Sequence, residues 1–174
     1  MSKPCDTALA VLLPTEIAKV VDQWRRLYDP IADAVPAHIT VAYPPFMPVN
    51  RWSDLAPSIR HTLSAQASFD VCIRSTGVFE APERVLWLRP EDDGQFAAMH
   101  ESLAREYAEY VPHSPLAYVP HITLGFFETT QALVSARAVV DGSLTSMTFR
   151  AATLSYMEYG EECTWHVVDQ IELG

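Results

Sequence analysis

The chain is short of positive charge. Twelve lysines and arginines stand against 22 aspartates and glutamates, a formal net charge of −10. Long nucleic acid is held by basic surfaces that displace counterions, so this balance argues against a long RNA or a duplex and toward a small or terminal phosphate ester. Solubility is the plainer reason for the acidity, and basic groups could still line a cleft. Cysteine is scarce: Cys5, Cys72 and Cys163 are far apart, odd in number and outside any C-x-x-C spacing. They support neither a disulfide framework nor a zinc site. Cys72, in the alternating run Phe69-Asp-Val-Cys-Ile-Arg, reads as a small core side chain. The apolar run Ala8 to Leu13 is too short for a signal core or a membrane span, and Asp6 stands where a signal peptide carries positive charge. A soluble, reduced, cytoplasmic protein is expected, with a monomer as the default. There is no H-x-x-x-H or H-E-x-x-H helix, no G-x-S-x-G elbow, no P-loop, no low-complexity segment and no extended linker.

What is present is ordinary material for one domain spanning 1–174: 49% of the residues are hydrophobic and 10% aromatic. A domain of this size buries enough surface to hold a core without metal or disulfide. Thr7 to Leu13 reads as a buried strand. Pro14-Thr15-Glu16 opens a helix whose apolar face is Ile17, Val20, Val21, Trp24 and Leu27, stopped by Asp29-Pro30. A strand at about 37–43 ends at Pro44, Pro45 and Pro48. Helices follow over Trp52 to Ala65, Gln95 to Tyr110 (closed by Pro112 and Pro115) and Gln131 to Val139. Strands are expected at Phe69 to Ile73, Arg84 to Arg89, about 118–126, Met147 to Met157 and Thr164 to Leu173. Gly77 to Pro82 reads as a connection, Asp92-Asp93-Gly94 as a helix-opening turn, and Tyr159-Gly160-Glu161 as the last turn. Strands and helices do not alternate steadily, so a doubly wound parallel sheet is not expected. The pattern is α+β and reads as two similar lobes, each contributing one strand of the repeated motif described next.

One short pattern occurs twice, as Pro36-Ala37-His38-Ile39-Thr40-Val41 and Val119-Pro120-His121-Ile122-Thr123-Leu124. In a strand, His and Thr two apart emerge on one face while the apolar residues between them face the other. A single copy reads as a core or rim histidine, but two copies in one chain point to function. If the strands face each other across a groove, two imidazoles and two hydroxyls converge. Imidazole takes or gives a proton near neutral pH, so a pair does both in one turnover. That suits in-line displacement at phosphorus, with threonine hydroxyls donating to the non-bridging oxygens. His61 and His100 on helices, His113 in a proline-rich loop and His166 in a terminal strand do not repeat the pattern.

The paired motifs resemble those of the two-histidine (2H) phosphoesterase superfamily, in particular its 2′-5′ RNA ligase and RNA 2′,3′-cyclic phosphodiesterase branch. Gly77-Val78-Phe79 followed by Pro82-Glu83-Arg84-Val85-Leu86-Trp87 is similar to that family's strand pair, and the final strands with Tyr156 and Trp165 to its closing hairpin. The resemblance implies a pseudo-two-fold bilobal fold, two mainly antiparallel sheets flanking a central groove that holds both motifs, and helices on the outer faces. It implies metal-independent opening of a 2′,3′-cyclic phosphate to a 2′-phosphate without a cofactor, with 2′-5′ joining of RNA as a side activity. Carried over, His38 and His121 are the acid and base and Thr40 and Thr123 the phosphate donors. The sequence does not fix which histidine is which; the working assignment is His121 as base toward water and His38 as acid.

Tyr43, Phe46, Tyr118 and Phe126 are placed to flank the groove and stack on a base, with ordinary packing as the alternative. Arg84 is the candidate basic contact to phosphate, or else an exposed strand residue paired with a carboxylate. The acidity of the chain favours a nucleotide 2′,3′-cyclic phosphate or a short RNA end as partner. The competing readings are a non-catalytic nucleotide or RNA-end binding module and a hydrolase of another cyclic phosphoester.

Overall fold

The computed structural model describes residues 6–111, 114, 116–160 and 162–174. Cys5, Pro112, His113, Pro115 and Glu161, which the sequence reading touched on, lie outside these. The elements run β1 (Thr7–Leu12), α1 (Thr15–Tyr28), β2 (His38–Ala42), α2 (Val49–Ser64), β3 (Phe69–Phe79), β4 (Arg84–Glu91), α3 (Gln95–Glu106), β5 (Ile122–Phe127), α4 (Thr130–Ser143), β6 (Met147–Ala151), β7 (Thr153–Tyr159) and β8 (Trp165–Glu172). They build two four-stranded sheets of order β2-β1-β7-β8 and β5-β4-β3-β6. Every neighbouring pair is antiparallel. The two orders correspond: β2 and β5, the strands of the repeated motif, each form the edge of a sheet. This is the α+β, two-lobed architecture with pseudo-two-fold symmetry.

Apolar residues from both sheets and all four helices join in one core cluster. β1 is buried along nearly its whole length, and apolar from Ala8 on, because it lies inside its sheet, between β2 and β7. Elsewhere on that sheet Trp52 of α2 stacks on Tyr156 of β7 at 3.9 Å, and the Tyr156 hydroxyl donates to the Met47 carbonyl at 2.6 Å. The lobes meet through α1, which follows β1 but ends against β5. A Cβ on Gly125 would collide with the backbone and Cβ of Tyr28, so this strand can lie on the helix end only with glycine there. Asp92 opens α3 by accepting from the Phe96 amide at 2.6 Å, with Gly94 at φ +83°. Among the described residues no helix is long and apolar enough to cross a membrane.

Several boundaries differ from the sequence reading. The stretch Met147 to Met157 is two strands. β6 pairs with β3, β7 pairs with β1, and the chain changes sheets at Ala152. β3 runs on to Phe79 because Gly77, Val78 and Phe79 pair with Trp87, Leu86 and Val85 rather than forming a connection. α3 stops at Glu106, α4 reaches Ser143, and the β5 ladder begins at Ile122, one residue after His121. The buried stripe of α1 is Val21, Trp24 and Arg25, while Val20 and Leu27 are exposed. Cys72 is half-buried with its Sγ against the Ser146 hydroxyl, since Val71 and Ile73 take the core face of β3.

Candidate active site

The alternation of β2 works as its sequence dictates. Ile39 and Val41 are fully buried, while His38 and Thr40 are half-buried on the opposite face. On β5 Ile122 and Leu124 are fully buried and Thr123 half-buried, with His121 half-buried just ahead of the strand. All four motif side chains line one cavity of about 240 Å³. Room for it comes from small neighbours: Ala8 and Ala10 of β1 line the same space, with Ala10 directly across from Thr40.

The two histidines are held in the same way. His38 Nδ1 lies 2.7 Å from the Pro36 carbonyl and His121 Nδ1 lies 2.8 Å from that of Val119, in each case two residues upstream. A carbonyl only accepts, so both Nδ1 atoms carry the proton, and neither Nε2 has a hydrogen-bond partner among the described residues. Neither threonine hydroxyl is taken up by another side chain or carbonyl among the described residues.

Their surroundings differ. Beside His38 lies a buried ionic cluster: Arg25, 2% exposed, donates to Asp22 at 2.8 Å, to Asp29 at 3.4 Å and to the Val35 carbonyl at 2.8 Å. Arg25 and Asp29 both line the cavity. His121 is instead ringed by Tyr43 at 6.3 Å, Phe79 at 5.1 Å and Trp87 at 6.1 Å. Burial lowers the pKa of both imidazoles. For His38 the Arg25 guanidinium and the His121 ring add to that effect, against the Pro36 carbonyl and Asp29. For His121 only the Val119 carbonyl opposes it.

A second cavity of about 670 Å³ adjoins the first, sharing Tyr43, Pro44 and His121 with it. Phe79, Ala81, Pro82, Glu83 and Val85 form one wall, and His100, Val111 and residues 116–119 the other. His100 stacks on Tyr118 at 4.2 Å and 9°. Both are anchored to the motif strand, the Tyr118 hydroxyl donating to the Thr40 carbonyl and His100 Nδ1 to that of Val41, each at 2.8 Å.

Of the groove aromatics expected from sequence, Tyr43 lines both cavities, Phe126 the smaller and Tyr118 the larger. Phe46 lines neither; it is 4% exposed and packed in the core. Arg84 also lines neither, because its guanidinium donates to Thr130 Oγ1 at 3.2 Å and the Glu128 carbonyl at 3.0 Å. The sequence reading gives no site role to Arg25, Asp29, Phe79 or His100. His100 was findable, since it lies four residues after Phe96 and three before Leu103 on the buried face of α3. Among the described residues no three His, Cys, Asp or Glu side chains gather as metal ligands.

One His-Thr pair on the edge strand β2 and another at the start of the edge strand β5 thus face a single cavity, the arrangement expected of the two-histidine phosphoesterase class. The family model of the 2′-5′ RNA ligase superfamily matches residues 13–162, and the chain belongs to that family. It is 36% identical over 69 residues to the RNA 2′,3′-cyclic phosphodiesterase of Methanothermobacter thermautotrophicus, a match that spans 38% of each chain. The fold is shared with Escherichia coli LigT in complex with 3′-AMP, at a TM-score of 0.65 and 17% identity over 98% of this chain and 99% of that one. It is shared as well with the protein TT0787 of Thermus thermophilus, at a TM-score of 0.67 and 19% identity over 97% of each.

Proposed function

We propose that this protein opens nucleoside 2′,3′-cyclic phosphates to 2′-phosphates by metal-independent acid–base catalysis. The observation that carries the proposal is the convergence of both His-Thr pairs on one cavity with both Nε2 atoms free. The phosphate sits between Thr40 and Thr123, whose hydroxyls donate to its non-bridging oxygens. One Nε2 takes a proton from water as the new P–O bond forms. The other, protonated, gives its proton to O3′ as the P–O3′ bond breaks, leaving the phosphate on O2′.

The cavities favour an assignment opposite to the one adopted from sequence. A cyclic nucleotide with its phosphorus in the smaller cavity has its ribose toward the larger one, which His121 lines and His38 does not. His121 therefore serves the leaving ribose oxygen as acid, and His38 serves water as base. The large apolar chamber suits a nucleoside, and the Methanothermobacter relative is named for opening the same kind of cyclic phosphate on RNA.

The test incubates purified protein in EDTA with the four nucleoside 2′,3′-cyclic monophosphates and a short RNA ending in a cyclic phosphate, with products resolved by chromatography. The expected products are 2′-phosphates, and removing either side of a general acid–base pair is expected to cost about 10²–10⁴-fold in rate. Unchanged turnover in His38→Ala or His121→Ala, or none in the parent, overturns the proposal.

A further inference from the structure

The two cavities differ in charge. The smaller is lined by Arg25, but that guanidinium is already bonded to Asp22 and Asp29, so the cluster as a whole carries no surplus positive charge. Histidines apart, the larger has one charged side chain on its described wall, the exposed carboxylate of Glu83. Val111, Ser114 and residues 116–119 supply much of one wall, and the sequence from 111 to 121 holds no lysine or arginine. In the opposite turn, residues 79–85, the one cation is Arg84, held away by Thr130 and the Glu128 carbonyl. What the chamber offers instead is flat apolar surface: Phe79, Tyr43 and the stacked pair of Tyr118 and His100. Rings of this kind stack on a nucleobase whatever its identity.

Resting on the function proposed above, we infer that the larger cavity is a site for an uncharged nucleoside with a free 5′-hydroxyl, and that it turns away substrates carrying a second phosphate there. The substrate class is then the mononucleoside 2′,3′-cyclic phosphate and not the end of an RNA chain. A ribose entering from the smaller cavity carries its 5′ position into the larger one. A phosphate at that position meets the Glu83 carboxylate, with no lysine or arginine among the described lining residues to offset it. An RNA end brings such a phosphate with every preceding nucleotide. Repulsion from one carboxylate at partly screened range, together with uncompensated desolvation of the phosphate, predicts discrimination of about tenfold or more.

The test reads binding and turnover separately. Calorimetry on the parent protein compares adenosine 2′-monophosphate with adenosine 2′,5′-bisphosphate. Turnover compares adenosine 2′,3′-cyclic phosphate with its 5′-phosphorylated counterpart. The monophosphate binding at least about tenfold more tightly supports the inference, even if no cyclic phosphate is opened and the catalytic proposal has failed. Equal or tighter binding of the bisphosphate overturns it, even if both cyclic compounds are opened and catalysis stands. No binding of either compound also overturns it. Glu83→Lys, on an exposed position, is expected to move the ratio of the two affinities toward one or past it. A ratio that does not move, in a variant with an unchanged circular dichroism spectrum, takes the exclusion away from Glu83 and overturns the inference.

Discussion

A charged side chain that water barely reaches must be matched by its neighbours, and Arg25 is matched by two aspartates and a carbonyl. Breaking a buried pair strands the remaining charge, so Arg25→Ala is expected to lower stability by about 3–5 kcal/mol in urea unfolding. The milder Arg25→Gln reports on chemistry. The guanidinium helps to hold the His38 pKa down, so its loss is expected to shift the titration of kcat/KM assigned to His38 to higher pH. With both imidazoles below their usual value near 6.5, the singly protonated pair, and hence the optimum of kcat/KM, lies on the acid side of that value. The same shifts bear on folding. A histidine that resists its proton when folded binds more protons when unfolded, so stability is unaffected above about pH 6.5 and falls as pH drops from there toward the folded-state pKa. Denaturation at pH 5 and pH 7.5 checks the sign. The acid–base assignment has its own test in a linear aryl phosphodiester, whose phenolate leaves without a proton. His121→Ala is expected to retain turnover of it, and His38→Ala to lose it. The two motif pairs were legible because alternation forces His and Thr onto one face. Arg25 was not, because the sequence places an arginine on an amphipathic helix without saying which edge of the apolar stripe is covered.

At the scale of elements, the joint between lobes depends on α1 lying flush on β5. Gly125→Ala puts a methyl into the Tyr28 backbone, where no side chain can swing aside. Overpacking of this kind is expected to cost about 1–3 kcal/mol in stability. Because Thr123 is two residues away on the same strand, kcat should fall as well. A fully active Gly125→Ala of normal stability would show that the strand can slide off the helix end at no cost. Strands and helices with strong periodicity were readable, down to the buried Ile39, Val41, Ile122 and Leu124. The sheet change at Ala152 was not, since Arg150-Ala-Ala-Thr153 holds neither proline nor glycine to mark it. The α1 stripe was misplaced because Leu27 is apolar yet exposed. Tertiary packing against β5 decided which face was covered.

For the molecule as a whole, the acidic surface sets how an anionic substrate arrives. A net charge of −10 repels a phosphate ester at long range, and salt screens that repulsion. Raising ionic strength from low to physiological is therefore expected to raise kcat/KM for a cyclic nucleotide by roughly twofold, opposite in sign to the loss a phosphate-gripping RNA binder shows. A stopped assay across a salt series checks it. Two similar lobes are legible in the order of elements around the repeated motif, and the two-fold relation between them only through the family resemblance. The pairing of β1 with β7 was not, because it joins strands at opposite ends of the chain.

That pairing has a consequence for how the protein is made. β1 needs β7 as its second neighbour, so while the chain emerges from the ribosome the first motif strand belongs to half a sheet. The first lobe to be synthesised is the last to be completed. Until the stretch through Tyr159 has emerged, the nascent chain exposes β1 as a bare apolar edge, the kind of surface that chaperones cover and that recruits other strands.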